Sequence, residues 1–89
     1  MEEKKVEIVN ELGLHARAAS MLVENASRFS SDISVIKDGM EVDAKSIMGI
    51  MTLAASKGSE IKLRAKGEDE EEAIKKLSKI VEKGFYENR

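Results

Sequence analysis

The chain holds one histidine and no cysteine. The histidine lies in Gly13-Leu14-His15-Ala16-Arg17, with a guanidinium two residues beyond the imidazole. The apolar spacing that follows, Leu22, Val23, Ala26 and Phe29, predicts a helix from about His15 or Ala16 to about Arg28. The imidazole then stands at a helix start. A first helical turn offers unpaired N–H groups and partial positive charge, which receive an anion and disfavour imidazolium. A neutral ring nitrogen, oriented donors and a fixed cation in Arg17 are together the parts of a phosphoryl acceptor. The same residues also fit a plainer role, a surface histidine capping a helix beside a solvated arginine. A serine-histidine-acid mechanism would have to use His15. There is no G-x-S-x-G elbow, phosphate-binding P-loop or dinucleotide fingerprint. The absence of cysteine removes disulfides, zinc–thiolate sites and thiol chemistry, and one histidine cannot build a multi-histidine metal centre. No metal or cofactor is expected.

The second suggestive stretch is Lys45-Ser46-Ile47-Met48-Gly49-Ile50-Met51. Ser46 precedes a short apolar run and suits the N-cap of a brief helix. A phosphate on Ser46 would add a dianion at a helix start, which the fold tolerates and an acidic partner does not. Ile47, Met48, Ile50 and Met51 cannot all face inward from so short a helix. The remainder are either ordinary exposed apolar area or a docking patch in which methionine adapts to several partners. None of the 17 acidic residues falls between Leu12 and Val23, or between Ala44 and Ser59. If the two helix starts lie side by side, His15, Arg17, Lys45, Ser46 and Lys57 make a mildly positive patch suited to an acidic partner.

The elements that must position these residues are legible as alternation and helical spacing. Val6 and Ile8 alternate with Lys5 and Glu7, predicting a half-buried strand over Lys4 to Val9. Ile33 and Val35, then Met40 and Val42, form two further runs joined by Asp38-Gly39, a pair suited to a type I′ hairpin turn. Ile61, Leu63 and Ala65 predict a fourth strand. The last helix buries Ala73, Ile74, Leu77, Ile80 and Val81, with Asp69 as N-cap, Glu72 at capping-box spacing and Gly84 as its stop. Acidic residues 68–72 and lysines 75, 76, 79 and 83 match opposite ends of its dipole. The order strand, helix, strand, strand, helix, strand, helix predicts an α+β fold, an antiparallel sheet with helices packed on one side.

Eighty-nine residues suffice for one domain with a small core. Apolar residues at 42% and charged residues at 36% are globular composition. A net charge of −2 and 3% aromatics disfavour nucleic-acid binding by basic patches and base stacking. The longest uncharged stretch, Ser46 to Ser56, is too short for a membrane span, and no secretory leader is apparent. A cytoplasmic location is expected.

Gly13-Leu14-His15-Ala16-Arg17-Ala18-Ala19 closely resembles the active-site signature of the histidine-containing phosphocarrier (HPr) family of the bacterial phosphoenolpyruvate-dependent sugar phosphotransferase system. Residues 45–51 resemble that family's second signature, around its regulatory serine, and residues 53–58 continue in the same manner. The resemblance spans almost the whole chain and implies an open-faced β-sandwich: a four-stranded antiparallel sheet with three helices on one face (βαββαβα), over residues 1–89. It implies that His15 accepts a phosphoryl group at Nδ1 from phosphorylated enzyme I, with Arg17 beside it, and passes it to enzyme IIA domains. Such a protein is a stoichiometric carrier rather than an enzyme. Ser46 resembles the site of an ATP-dependent HPr kinase/phosphorylase, whose product slows carrier function and serves as corepressor for a catabolite-control transcription factor. Lys45, Ile47, Met48 and Met51 would form the partner surface of a monomer. The alternative is an HPr-related regulatory protein acting through Ser46; such relatives lack the active histidine, which is present here. The family usually has proline where this chain has Ala18.

Overall fold

The computed structural model describes residues 1–87. Four strands, β1 (Glu2–Glu7), β2 (Asp32–Lys37), β3 (Met40–Asp43) and β4 (Glu60–Lys66), form one antiparallel sheet in the order β1-β4-β2-β3. Three helices, α1 (Ala16–Ala26), α2 (Ile47–Thr52) and α3 (Glu70–Glu82), alternate with them as expected. A 3₁₀ turn over Gly84–Tyr86 follows α3. Helix α3 lies on β1 and β4, α1 contacts the other two helices, and α2 touches β3. This is the open-faced sandwich, with one sheet face covered.

The alternating residues produce that asymmetry. Val6 pairs with Ile61, Val35 with Leu63 and Ile33 with Ala65, and all six are buried. The uncovered face carries charge instead, with Arg64 bridging Glu3 at 2.7 Å and Glu41 at 3.3 Å. Beneath the covered face, Leu22, Ile50, Leu77, Ile80 and Phe85 close the core. The Asp38-Gly39 turn has φ of 50° and 83°, the paired positive values a type I′ turn requires.

Three features differ from expectation. Strand β1 runs Glu2–Glu7 rather than Lys4 to Val9, because its pairing with β4 extends from Glu2–Ala65 to Glu7–Glu60. Helix α1 stops at Ala26 rather than Arg28, because the Ser27 and Arg28 N–H groups close the last turn on Val23 and Asn25. Helix α3 lacks the expected capping box. Asp69 occupies the cap position without capping, and its carboxylate instead accepts from the Ser30 N–H, the Ser31 N–H and the Ser31 hydroxyl. Glu70, not Glu72, reaches back, taking the Gly67 N–H at 3.0 Å.

The Asp69 clamp has a pH consequence. Its hydrogen bonds, the Ser31 hydroxyl first, hold the Asp69 carboxyl below the usual carboxylate range. The folded state therefore binds this proton less readily than the unfolded chain does. The stabilisation is complete above the unfolded value and is lost as pH falls through the folded one. Urea midpoints of wild type and Asp69→Asn should converge as pH drops below the carboxylate range. A gap that stays constant down to pH 2 would contradict the assignment.

Candidate functional site

His15 is itself the N-cap of α1, with extended backbone (φ −74°, ψ 178°). Its Nδ1 accepts the Arg17 backbone N–H at 3.3 Å, so this nitrogen presents its lone pair to the mouth of the helix. Its Nε2 lies 2.5 Å from Oε2 of Glu87. Nδ1 accepts and Nε2 faces a carboxylate, so the neutral ring that satisfies both contacts carries its proton on Nε2. The ring is 26% exposed, open to solvent yet held.

The backbone before the ring is fixed from two sides. Gly13 at φ 67° turns the chain, and the Leu14 N–H bonds to the Ala55 carbonyl at 2.9 Å. Asn10, 6% exposed, donates its amide to the Gly13 carbonyl at 2.8 Å and to Oε1 of Glu87 at 3.1 Å. Arg17 is exposed and lines the same open groove as His15, with Leu12, Met21, Tyr86 and Glu87. Ala18 is the third residue of α1 and fully buried.

Glu87 changes the electrostatics read from sequence. The acid-free stretch around His15 acquires a carboxylate from 72 residues away. The His15 hydrogen bond is the largest cause holding the Glu87 carboxyl below its ordinary range, aided by Asn10 and Arg17 and opposed by burial. Lys57 is likewise balanced, by Glu11 at 2.6 Å, and the Lys45 ammonium turns to the Phe29 carbonyl at 2.9 Å. The expected patch is thus less positive than the linear sequence reads. Neither Asn10 nor Glu87 was legible as a site residue. Asn10 sits in a loop of common turn residues, and Glu87 lies beyond the predicted stop at Gly84.

Ser46 caps α2 as expected, its Oγ accepting the Gly49 N–H at 3.0 Å. Ile50 alone of the helix's apolar residues is buried, while Met48 is 80% exposed and Ile47 and Met51 stand partly out. Helix α2 packs beside α1, so the two caps belong to neighbouring helices. Ser46→Ala should lower unfolding free energy by about 1 kcal/mol through the lost cap. Ser46→Asp should largely keep it. Equal stability of wild type and Ser46→Ala in urea would refute the cap's contribution.

An open-faced α+β sandwich that presents a single imidazole at a helix mouth is the class of protein this geometry defines. The family described as "PTS HPr component phosphorylation site" matches residues 2–83. The HPr-like protein Crh of Bacillus subtilis is 51% identical over 82 residues, covering 92% of this chain and 96% of that protein. The phosphocarrier protein HPr of Xylella fastidiosa is 48% identical over 88 residues, 99% of each chain. The crystal structure of HPr-C-His from Thermoanaerobacter tengcongensis superimposes with a TM-score of 0.95 at 54% identity over 100% of both chains. An HPr dimer from that organism gives a TM-score of 0.78 at 55% identity over 98% of this chain and 100% of that one. The chain belongs to the HPr family of phosphocarriers of the phosphotransferase system.

Proposed function

We propose that this protein carries phosphoryl groups on Nδ1 of His15, taking them from phosphorylated enzyme I and giving them to enzyme IIA domains. The observation that carries this reading is the Nδ1 lone pair aimed at the N–H groups of the first turn of α1. In the transfer, that lone pair forms a bond to phosphorus while the bond from phosphorus to the donor breaks, its electron pair staying with the donor. The Arg17 N–H then turns from Nδ1 to a phosphoryl oxygen, where the helix dipole and the Arg17 guanidinium favour the added charge. Delivery to an acceptor runs the same step in reverse, so the protein is modified and restored rather than acting as an enzyme. Exposure of ring and groove supports a partner reaching Nδ1 directly.

Ser46 is the regulatory phosphorylation site in this reading, addressed by an HPr kinase/phosphorylase. Its hydroxyl is only half-buried at a helix start, and a dianion there would meet an acidic partner approaching Ile47, Met48 and Met51. Lys45 joins this surface through its backbone and stem, because its ammonium is held by Phe29. The serine-phosphorylated form would also act with a catabolite-control transcription factor. That purely regulatory role is the second reading, and the likeness to Crh supports it. The presence of His15 at a helix mouth favours the carrier. The protein is expected to work in the cytoplasm as a monomer, residues 1–89 forming one domain. Among the described residues, no helix is long and apolar enough to cross a membrane. Mass spectrometry after incubation with phosphoenolpyruvate and enzyme I tests the main reading: acid-labile phosphate on His15 supports it, and an unmodified protein refutes it.

A further inference from the structure

The C-terminal turn is built at a cost that packing alone does not explain. Gly84, Phe85 and Tyr86 take φ of 65°, 57° and 59°, three consecutive left-handed residues. For the two that are not glycine this conformation is sterically strained. Burial of Phe85 to 1% exposure offsets part of it and anchors the turn. The turn ends by aiming Glu87 at the imidazole. Asn10 commits its amide donors to the Gly13 carbonyl and to Glu87, leaving its buried Oδ1 without a partner among the described residues. An unsatisfied buried acceptor is a penalty that folds rarely accept. Strain and penalty both serve one geometry, a carboxylate fixed on Nε2.

We propose that Glu87, oriented by Asn10 and the 84–86 turn, is a positioning residue that holds the His15 proton on Nε2 and so keeps Nδ1 free as the nucleophile. The inference rests on the carrier reading of His15. As Nδ1 gives its lone pair to phosphorus, Nε2 keeps its proton and the ring takes on the positive charge of an imidazolium. The Glu87 carboxylate stands against that charge, on the side of the ring away from the phosphoryl group. It stays ionised throughout, holding the ring's proton without removing it, in the manner of the acid in a catalytic triad. Without it, only the long Arg17 contact keeps the proton off Nδ1, where it would block attack.

Nitrogen-15 NMR of the ring and single-turnover labelling, with enzyme I and phosphoenolpyruvate, test this together in wild type, Glu87→Ala and Glu87→Gln. The expected wild-type ring is a single Nε2–H form. Both variants should populate the Nδ1–H form, because alanine removes the acceptor and glutamine can turn its N–H toward Nε2. Transfer should slow by about 10–100-fold at saturating enzyme I, with its binding unchanged. A merely structural contact would not move the ring tautomer. A wild-type ring protonated on Nδ1, an Nε2–H ring that persists in Glu87→Ala, or wild-type transfer rates in both variants each overturn the proposal. A wild type that takes no label overturns the carrier reading itself, and Glu87's role in transfer with it. Normal labelling with an unresponsive ring overturns the Glu87 assignment alone.

Discussion

His15→Ala should take up no phosphate from phosphoenolpyruvate and enzyme I, while remaining folded and able to bind enzyme I. The chain has no second histidine and no cysteine, so no other side chain can replace the lost nucleophile in kind. The structural cost should be small, since the ring is 26% exposed and its cap bond to Arg17 is long, at 3.3 Å. Loss of that cap removes about 0.5–2 kcal/mol of helix stability. A folded, binding-competent but unlabelled variant is the expected combination. Labelling of His15→Ala at the wild-type rate would end the assignment of the acceptor.

The second large effect is on folding. Gly13→Ala should destabilise the protein by about 2–5 kcal/mol, summing a left-handed residue that bears a side chain with an over-packed contact. A Cβ at Gly13, where φ is 67°, would meet the Ala55 carbonyl oxygen at 2.5 Å and the Ser56 Cα at 2.9 Å. Both are backbone atoms, tied to this loop by the Leu14–Ala55 hydrogen bond, so neither can give way cheaply. Gly39→Ala is the matched control. Gly39 also has positive φ, at 83°, but its Cβ would meet nothing within 4 Å. It should lose only the conformational part, about 1–2 kcal/mol. For a domain whose whole stability is on the order of 5–15 kcal/mol, the difference decides whether the His15 loop stays seated. Urea unfolding measures it, and equal midpoints for the two variants would show that the Ala55 contact does not constrain the loop.

Much of the scaffold was written locally. Alternation at Ile33/Val35 and Ile61/Leu63/Ala65 gave strands, and the stripe from Ala73 to Val81 gave α3. Asp38-Gly39 gave its turn and Ser46 its cap. Each of these depends on residues within a turn or two of one another, or on which face meets water, and both are properties of a short stretch of sequence. His15 at the start of α1 belongs to the same class. So does the choice of Nδ1 as the nitrogen facing the helix, because cap and donor are two residues apart.

Tertiary structure decided what distant residues do to each other. Asp69 reads as a helix cap from spacing, yet packing of the 30–31 loop against it offers three other donors. The acid-free stretch around His15 reads as positive, yet the chain returns Glu87 to it after 72 residues. The order β1-β4-β2-β3 brings the far end of α3 beside the loop after β1, with Phe85 buried as the anchor. By itself, the sequence placed its one histidine at a helix start and set how that helix presents the ring. Only the closed fold set a carboxylate against Nε2, because a carboxylate acts on an imidazole through distance in space, and separation along the chain does not report that distance.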